Sequence, residues 1–233
     1  MEGKIRHYDT QTGKKGKTFG RRRWGLFPDK IRSLSYLSAQ GQVAVASDKS
    51  NIRLFTKSVK KSHQTLDWHQ GGLFSNLGQK TLSLASSKNG LLVAGGLDGT
   101  LAIYEKTSFE LKARKELGKG GLVALDFSKD GQFLAVADDF GSVLILKSPD
   151  FEVVQKIDNG ASPLAVSFSH DTRLIATGGA DCQVRLFYLN SGKELLKLSH
   201  HSGAVLDLDF SETGSKLVSI GKDKRLYLTE LRW

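Results

Sequence analysis

The chain has 233 residues, 39% of them hydrophobic and 25% charged, with one cysteine and a formal net charge of +10. A lone Cys182 excludes an internal disulfide, no apolar run approaches the roughly 18–20 residues of a bilayer-spanning helix, and MEGKIRHYDT lacks the apolar block of a secretory signal. An intracellular protein, cytoplasmic or nuclear and without a membrane partner, is the expectation.

The charge is unevenly placed. Residues 1–62 hold 15 Lys/Arg against 4 Asp/Glu, whereas residues 63–233 hold 19 against 20. In chain order, GKIRHYDTQTGK comes first and reads as a strand with its following turn, with no partner strands ahead of it. KKGKTFGRRRWGLFPDK follows, carrying Lys14, Lys15, Lys17, Arg21, Arg22 and Arg23, then Trp24 and Phe27. Beyond it, strand-like runs with a period of two recur in units beginning near Ile31, Lys80, Leu122, Pro163 and Ala204. In LVALDF, Val123, Leu125 and Phe127 share one face; in SVLILK both faces are apolar, as in a strand covered on both sides. Turn-forming stretches such as SKDG, SSKNG, GLDGT and LNSGK separate the runs, and a fourth run, FELKARKEL or FEVVQKI, precedes the next unit.

Two markers give the same period. The turn residue of SKDG falls at Gly41, Gly90, Gly131, Thr172 and Gly214, at intervals of 49, 41, 41 and 42. The first apolar residue of the third run falls at Ile52, Leu101, Val143, Val184 and Leu226, at intervals of 49, 42, 41 and 42. One small sheet cannot bury both its faces, and sheets packed face to face about an axis solve that problem. A spacing of roughly 40–45 residues per four-stranded sheet is that of a β-propeller. The expected fold is therefore all-β, a single propeller domain over 1–233. Residues 31–233 supply five full four-stranded blades, the fifth lacking an evident fourth run, and residues 1–30 supply a partial blade and a basic linker.

GGLDGTLAIYE and HHSGAVLDLDFSETGSKLVSIGKDKRLYL resemble the WD-repeat family, and the resemblance extends over nearly the whole chain. It implies an Asp in the turn before the third strand, matched by Asp98, Asp181 and Asp223, and a His before the first strand, matched by His201. Tyr104, Phe187 and Phe55 stand where the family has Trp, and Thr229 replaces Trp in the last unit, the one unit with both His and Asp. The family usually has seven blades, so an incomplete or truncated ring is expected. Either KKGKTF closes the last sheet as its fourth strand, or the N-terminal pair forms half a blade and the array stays open. An open array exposes an apolar flank that invites a protein partner to complete it.

No run supports catalysis. GKKGKT, residues 13–18, ends like a phosphate loop but has Gln11 where that motif requires Gly. None of the six histidines is spaced for a metalloprotease site, and Cys182 has no second Cys, so neither metal nor cofactor is expected. His201 with Ser219 and Asp223 reads as a brace between turn and strand instead of a nucleophile triad. The expectation is a non-catalytic protein–protein scaffold in a multiprotein complex. Two alternatives are a ribonucleoprotein-associated propeller contacting RNA or acidic partners through Lys14 to Trp24, and an exchange factor for a small GTPase. The second alternative rests on the last unit, which is similar to the closing blade of the endoplasmic-reticulum exchange-factor family for the coat-assembly GTPase. That family's exchange loop has no match here.

Overall fold

The computed structural model describes residues 5–8, 12–19, 31–37, 41–47, 51–56, 64–67 and 81–231, and every regular element among them is a strand. β1 (Ile5–Tyr8) and β2 (Lys15–Phe19) pair antiparallel as a two-stranded sheet. Next comes the sheet of β3 (Ile31–Leu37), β4 (Gln42–Ser47), β5 (Asn51–Thr56) and β6 (Gln64–Asp67). The second is built from β7 (Thr81–Ser86), β8 (Leu91–Gly96), β9 (Thr100–Glu105) and β10 (Leu111–Glu116). The third has β11 (Leu122–Phe127), β12 (Phe133–Asp138), β13 (Ser142–Lys147) and β14 (Glu152–Asp158). The fourth has β15 (Pro163–Phe168), β16 (Leu174–Gly179), β17 (Val184–Tyr188) and β18 (Glu194–Leu198). The last has three strands, β19 (Val205–Phe210), β20 (Lys216–Gly221) and β21 (Leu226–Glu230). The strands of each sheet lie in chain order, so each is an antiparallel meander. β2 pairs with β1 and not with β21.

Local chemistry repeats with the period. At the end of the first strand, Ser87, Ser128, Ser169 and Ser211 each accept through Oγ the amide of the residue opening the second strand, at 2.9–3.1 Å. The chain can make this tight corner because the marker position of each turn is left-handed: φ is 59°, 90°, 72° and 69° at Gly41, Gly90, Gly131 and Gly214. Thr172 adopts φ 60° in the fourth unit, where a β-branched residue is strained. Every first strand also carries a register shift near its start, as at Leu122/Ala124 and Pro163/Ala165.

The first strands β3, β7, β11, β15 and β19 lie next to one another in that order, so the sheets fan out from a common hub. Between successive sheets lie four apolar cores. Ile52 and Leu54 meet Leu92, Ala102 and Tyr104. Leu101 and Ile103 meet Leu144, Leu146 and Phe127. Val143 and Ile145 meet Val166, Phe168 and Phe187. Val184 and Leu186 meet Leu208, Phe210 and Leu217. A third strand between two sheets therefore buries both faces, one on each neighbour, which is why its sequence is continuously apolar. Burying one such Leu or Ile contributes about 1.5–3 kcal/mol. The second strands must be small to let the next sheet approach. A Cβ on Gly178 would stand 2.5 Å from Cγ1 of Val205, and one on Gly95 would stand 2.8 Å from Cβ of Leu122.

Candidate interaction surface

In the second to fifth sheets, the corners between second and third strands share one face with the connections that lead into each sheet. In the last sheet this face is braced from inside. Nδ1 of His201 lies 3.0 Å from Oδ2 of Asp223, and its Nε2 lies 2.9 Å from Oγ of Ser219. The amides of Ser202 and Arg225 donate to the same Asp223 carboxylate, both at 3.0 Å. Burial pushes that carboxyl up, but the two amides and the imidazole outweigh it and hold it below the ordinary range. The His201 side chain is fully buried, with the rings of His200 and Tyr227 against it, so a substrate has no path to this Ser–His–Asp set.

The equivalent corners differ. Asp181 pairs with Arg185, whose Nη2 donates to Oδ2 at 2.6 Å, and the buried guanidinium also faces Glu194. Asp98 accepts from the amide and hydroxyl of Thr100 at 3.2 and 2.8 Å. In the fourth sheet Thr177 Oγ1 donates to Oδ1 of the buried Asn159 at 2.6 Å, as Ser219 meets His201 one sheet later. A pattern built on His passes over Asn159. Its spacing of 42 residues from His201 is the signal that identifies it.

The third sheet breaks the pattern outward. Phe140 stands three residues before Val143, where Asp98, Asp181 and Asp223 stand before Leu101, Val184 and Leu226, and it is 77% exposed. The loop glycines Gly120 and Gly121 lie between its ring and the side chains of Leu82 and Leu97, the latter also exposed.

At the opposite end of the hub, Asp126, Lys129, Ser167, His170, Asp209 and Glu212 are among the residues lining a cavity of about 240 Å³. Asp126 accepts the amide of Phe168 at 2.8 Å, and Ser167 donates to Asp209 at 3.1 Å. Burial, with the Asp209 charge adding to it, pushes the Asp126 carboxyl up to about 7 against the pull of the Phe168 amide.

Of the basic segment, Lys14 is exposed in the turn between β1 and β2. Lys15 and Lys17 lie in β2, where the backbone alone is described, and Arg21, Arg22, Arg23 and Trp24 lie outside the described residues. Among the described residues no group of three or more His, Cys, Asp or Glu is placed to hold a metal ion, and no helix is long and apolar enough to cross a membrane.

Five meander sheets fanned about one hub define a β-propeller. The "WD domain, G-beta repeat" family pattern matches residues 153–187 and 192–229, within the third to fifth sheets. The "Guanine nucleotide-exchange factor SEC12" of Rattus norvegicus is 37% identical over 97 residues, covering 38% of this chain and 23% of that protein. "WD repeat-containing protein 1" of Gallus gallus is 29% identical over 129 residues, 52% of this chain and 21% of that protein. "Periodic tryptophan protein 2 homolog" of Dictyostelium discoideum is 24% identical over 133 residues, 56% of this chain and 14% of that protein. The chain thus spans a quarter or less of the length of these relatives. Residues 153–229 therefore carry two repeats of the WD pattern within a β-propeller fold.

Proposed function

We propose that this propeller is a non-catalytic scaffold within an intracellular multiprotein complex, and that the turn face around Phe140 receives a protein partner. The observation that carries this reading is Phe140 itself. A large aromatic ring, 77% exposed at a corner where the neighbouring sheets place Asp, lies across the Gly120–Gly121 loop from the exposed Leu97. Apolar side chains presented on rigidly held loops are what a protein interface buries at its centre. Placing a photo-crosslinking phenylalanine analogue at position 140 tests this in cells. The reading expects a discrete protein adduct that is lost when Leu97→Asp is added. Absence of any adduct with an intact fold contradicts it.

A second reading rests on the 97-residue match to the exchange factor. In it the chain accelerates guanine-nucleotide release from a small GTPase. Release of a fluorescent GDP analogue, measured with and without the chain, supports this reading if accelerated and removes it if unchanged.

A further inference from the structure

The turn between third and fourth strands repeats its backbone more faithfully than its side chain. The amides of Phe109, Phe151 and Gly192 donate to the carbonyls of Glu105, Lys147 and Tyr188 at 2.7–2.8 Å. All three residues are left-handed, with φ of 58°, 54° and 65°. That backbone is costly for a bulky residue, so a ring is kept there only where its burial outweighs the strain. Phe109 is 8% exposed and packs among Leu54, Leu92 and Tyr104, at the junction of the first and second sheets. Phe151 is 2% exposed and packs with Leu91 and Ile103, at the junction of the second and third. It also meets Phe127 edge-on, the ring centroids 6.4 Å apart. Each ring closes the core against the preceding sheet.

In the fourth sheet the turn has the same shape and carries no ring. A Cβ on Gly192 would run into Nε2 of Gln155 on the third sheet, with Cγ1 of Ile157 3.6 Å away. At this junction Phe133, Ile145, Val154, Gln155, Thr172 and Leu189 are among the residues lining a cavity of about 570 Å³. Phe133 and Ile145 are the counterparts of Leu91 and Ile103, the two residues that Phe151 packs with one sheet earlier. Val154, the extra residue of a bulge in β14, is 50% exposed and leaves the cavity open to solvent. The volume lies within the roughly 300–1,000 Å³ of ligand sites. Second-to-third corners and third-to-fourth turns lie at opposite ends of each meander, so this site is separate from the Phe140 face and does not rest on it.

We infer that this cavity receives a phenylalanine side chain from a segment of a partner protein. The repeat itself specifies the occupant. Two junctions of the fan close on a phenylalanine presented by a surface turn, and the junction of third and fourth sheets offers the same apolar floor with glycine in its place. An aromatic ring brings the large apolar area that such a floor removes from water. Gln155 and Thr172 supply polar groups at the wall for the backbone that carries the ring.

Methyl NMR of the full chain, titrated with acetyl-Gly-Ser-Phe-Ser-Gly-amide and with its alanine counterpart, tests the inference. The phenylalanine peptide is expected to shift the methyls of Ile145, Val154 and Leu189 saturably, with half-saturation in the millimolar range, and the alanine peptide to leave them in place. Gly192→Phe supplies the ring from within the chain and should abolish the shifts. It should also raise the urea midpoint above that of Gly192→Ala, which carries the same backbone strain without a ring. If Gly192→Phe does not fold, Val154→Asp, a change at the exposed rim, replaces it and should lose the shifts as well. No shift up to about 20 mM peptide overturns the inference. So do equal shifts from the two peptides, or shifts that persist in the variant. Self-association that Gly192→Phe abolishes would give the cavity to a second copy of this chain and overturn the assignment to a partner protein.

Discussion

At the scale of the residue, the period fixes backbone conformation more strictly than side-chain identity. The left-handed corner is kept at Gly41, Gly90, Gly131 and Gly214 and tolerated at Thr172, where Ser169 still supplies the hydroxyl that closes the turn. Side chains at the hub vary more, and Asp126 shows the consequence. Its carboxyl ordinarily titrates near 3.8 and is pushed up to about 7 in the fold, chiefly by burial. Between those two values the folded chain holds a proton that the unfolded chain has released. Stability from this group is complete below the unfolded value and is lost as pH rises through the folded one. Asp126→Asn keeps an oxygen to accept the Phe168 amide but removes the charge. We expect the wild-type urea midpoint to fall between about pH 5 and pH 8 by more than the variant's does, with Asp209, Glu212, Lys129 and His170 present in both. Equal pH dependence in the two proteins contradicts the assignment.

At the scale of the element, apolar alternation and turn residues made the strands legible. The unit starts near Ile31, Leu122 and Pro163 coincide with β3, β11 and β15, and the continuous run SVLILK is the doubly covered β13. The spacing between sheets was not legible, because a glycine in a strand signals close approach without naming what approaches. The structure names it: Gly178 faces Val205 and Gly95 faces Leu122. Gly178→Ala is expected to destabilise the fold by about 1–3 kcal/mol through overpacking. Adding Val205→Ala should recover part of that loss, giving a non-additive pair in a denaturation double-mutant cycle. Strict additivity would show that the two sheets do not press on each other there. The candidate surface was less legible than the strands. Asn159 substitutes for His in the brace and Phe140 for Asp at the corner, and neither substitution keeps the residue type that a motif search follows.

At the scale of the whole molecule, the sheets form a series in which each shields its neighbour, and stability is passed along the fan from core to core. Periodicity alone conveyed this architecture, since five units of one pattern demand one packing solution. It conveyed little about partners, because the departures from the repeat, such as Phe140 and the basic N-terminal quarter, follow no pattern that a period could extend. The claim on which the account rests is that intersheet burial, and not strand chemistry, shields both faces of a third strand between two sheets. Hydroxyl-radical footprinting reads this directly. The account predicts protection at Leu101, Ile103, Val143, Ile145, Val184 and Leu186 and modification at the exposed Leu97 and Phe140; equal reactivity across these positions would contradict it.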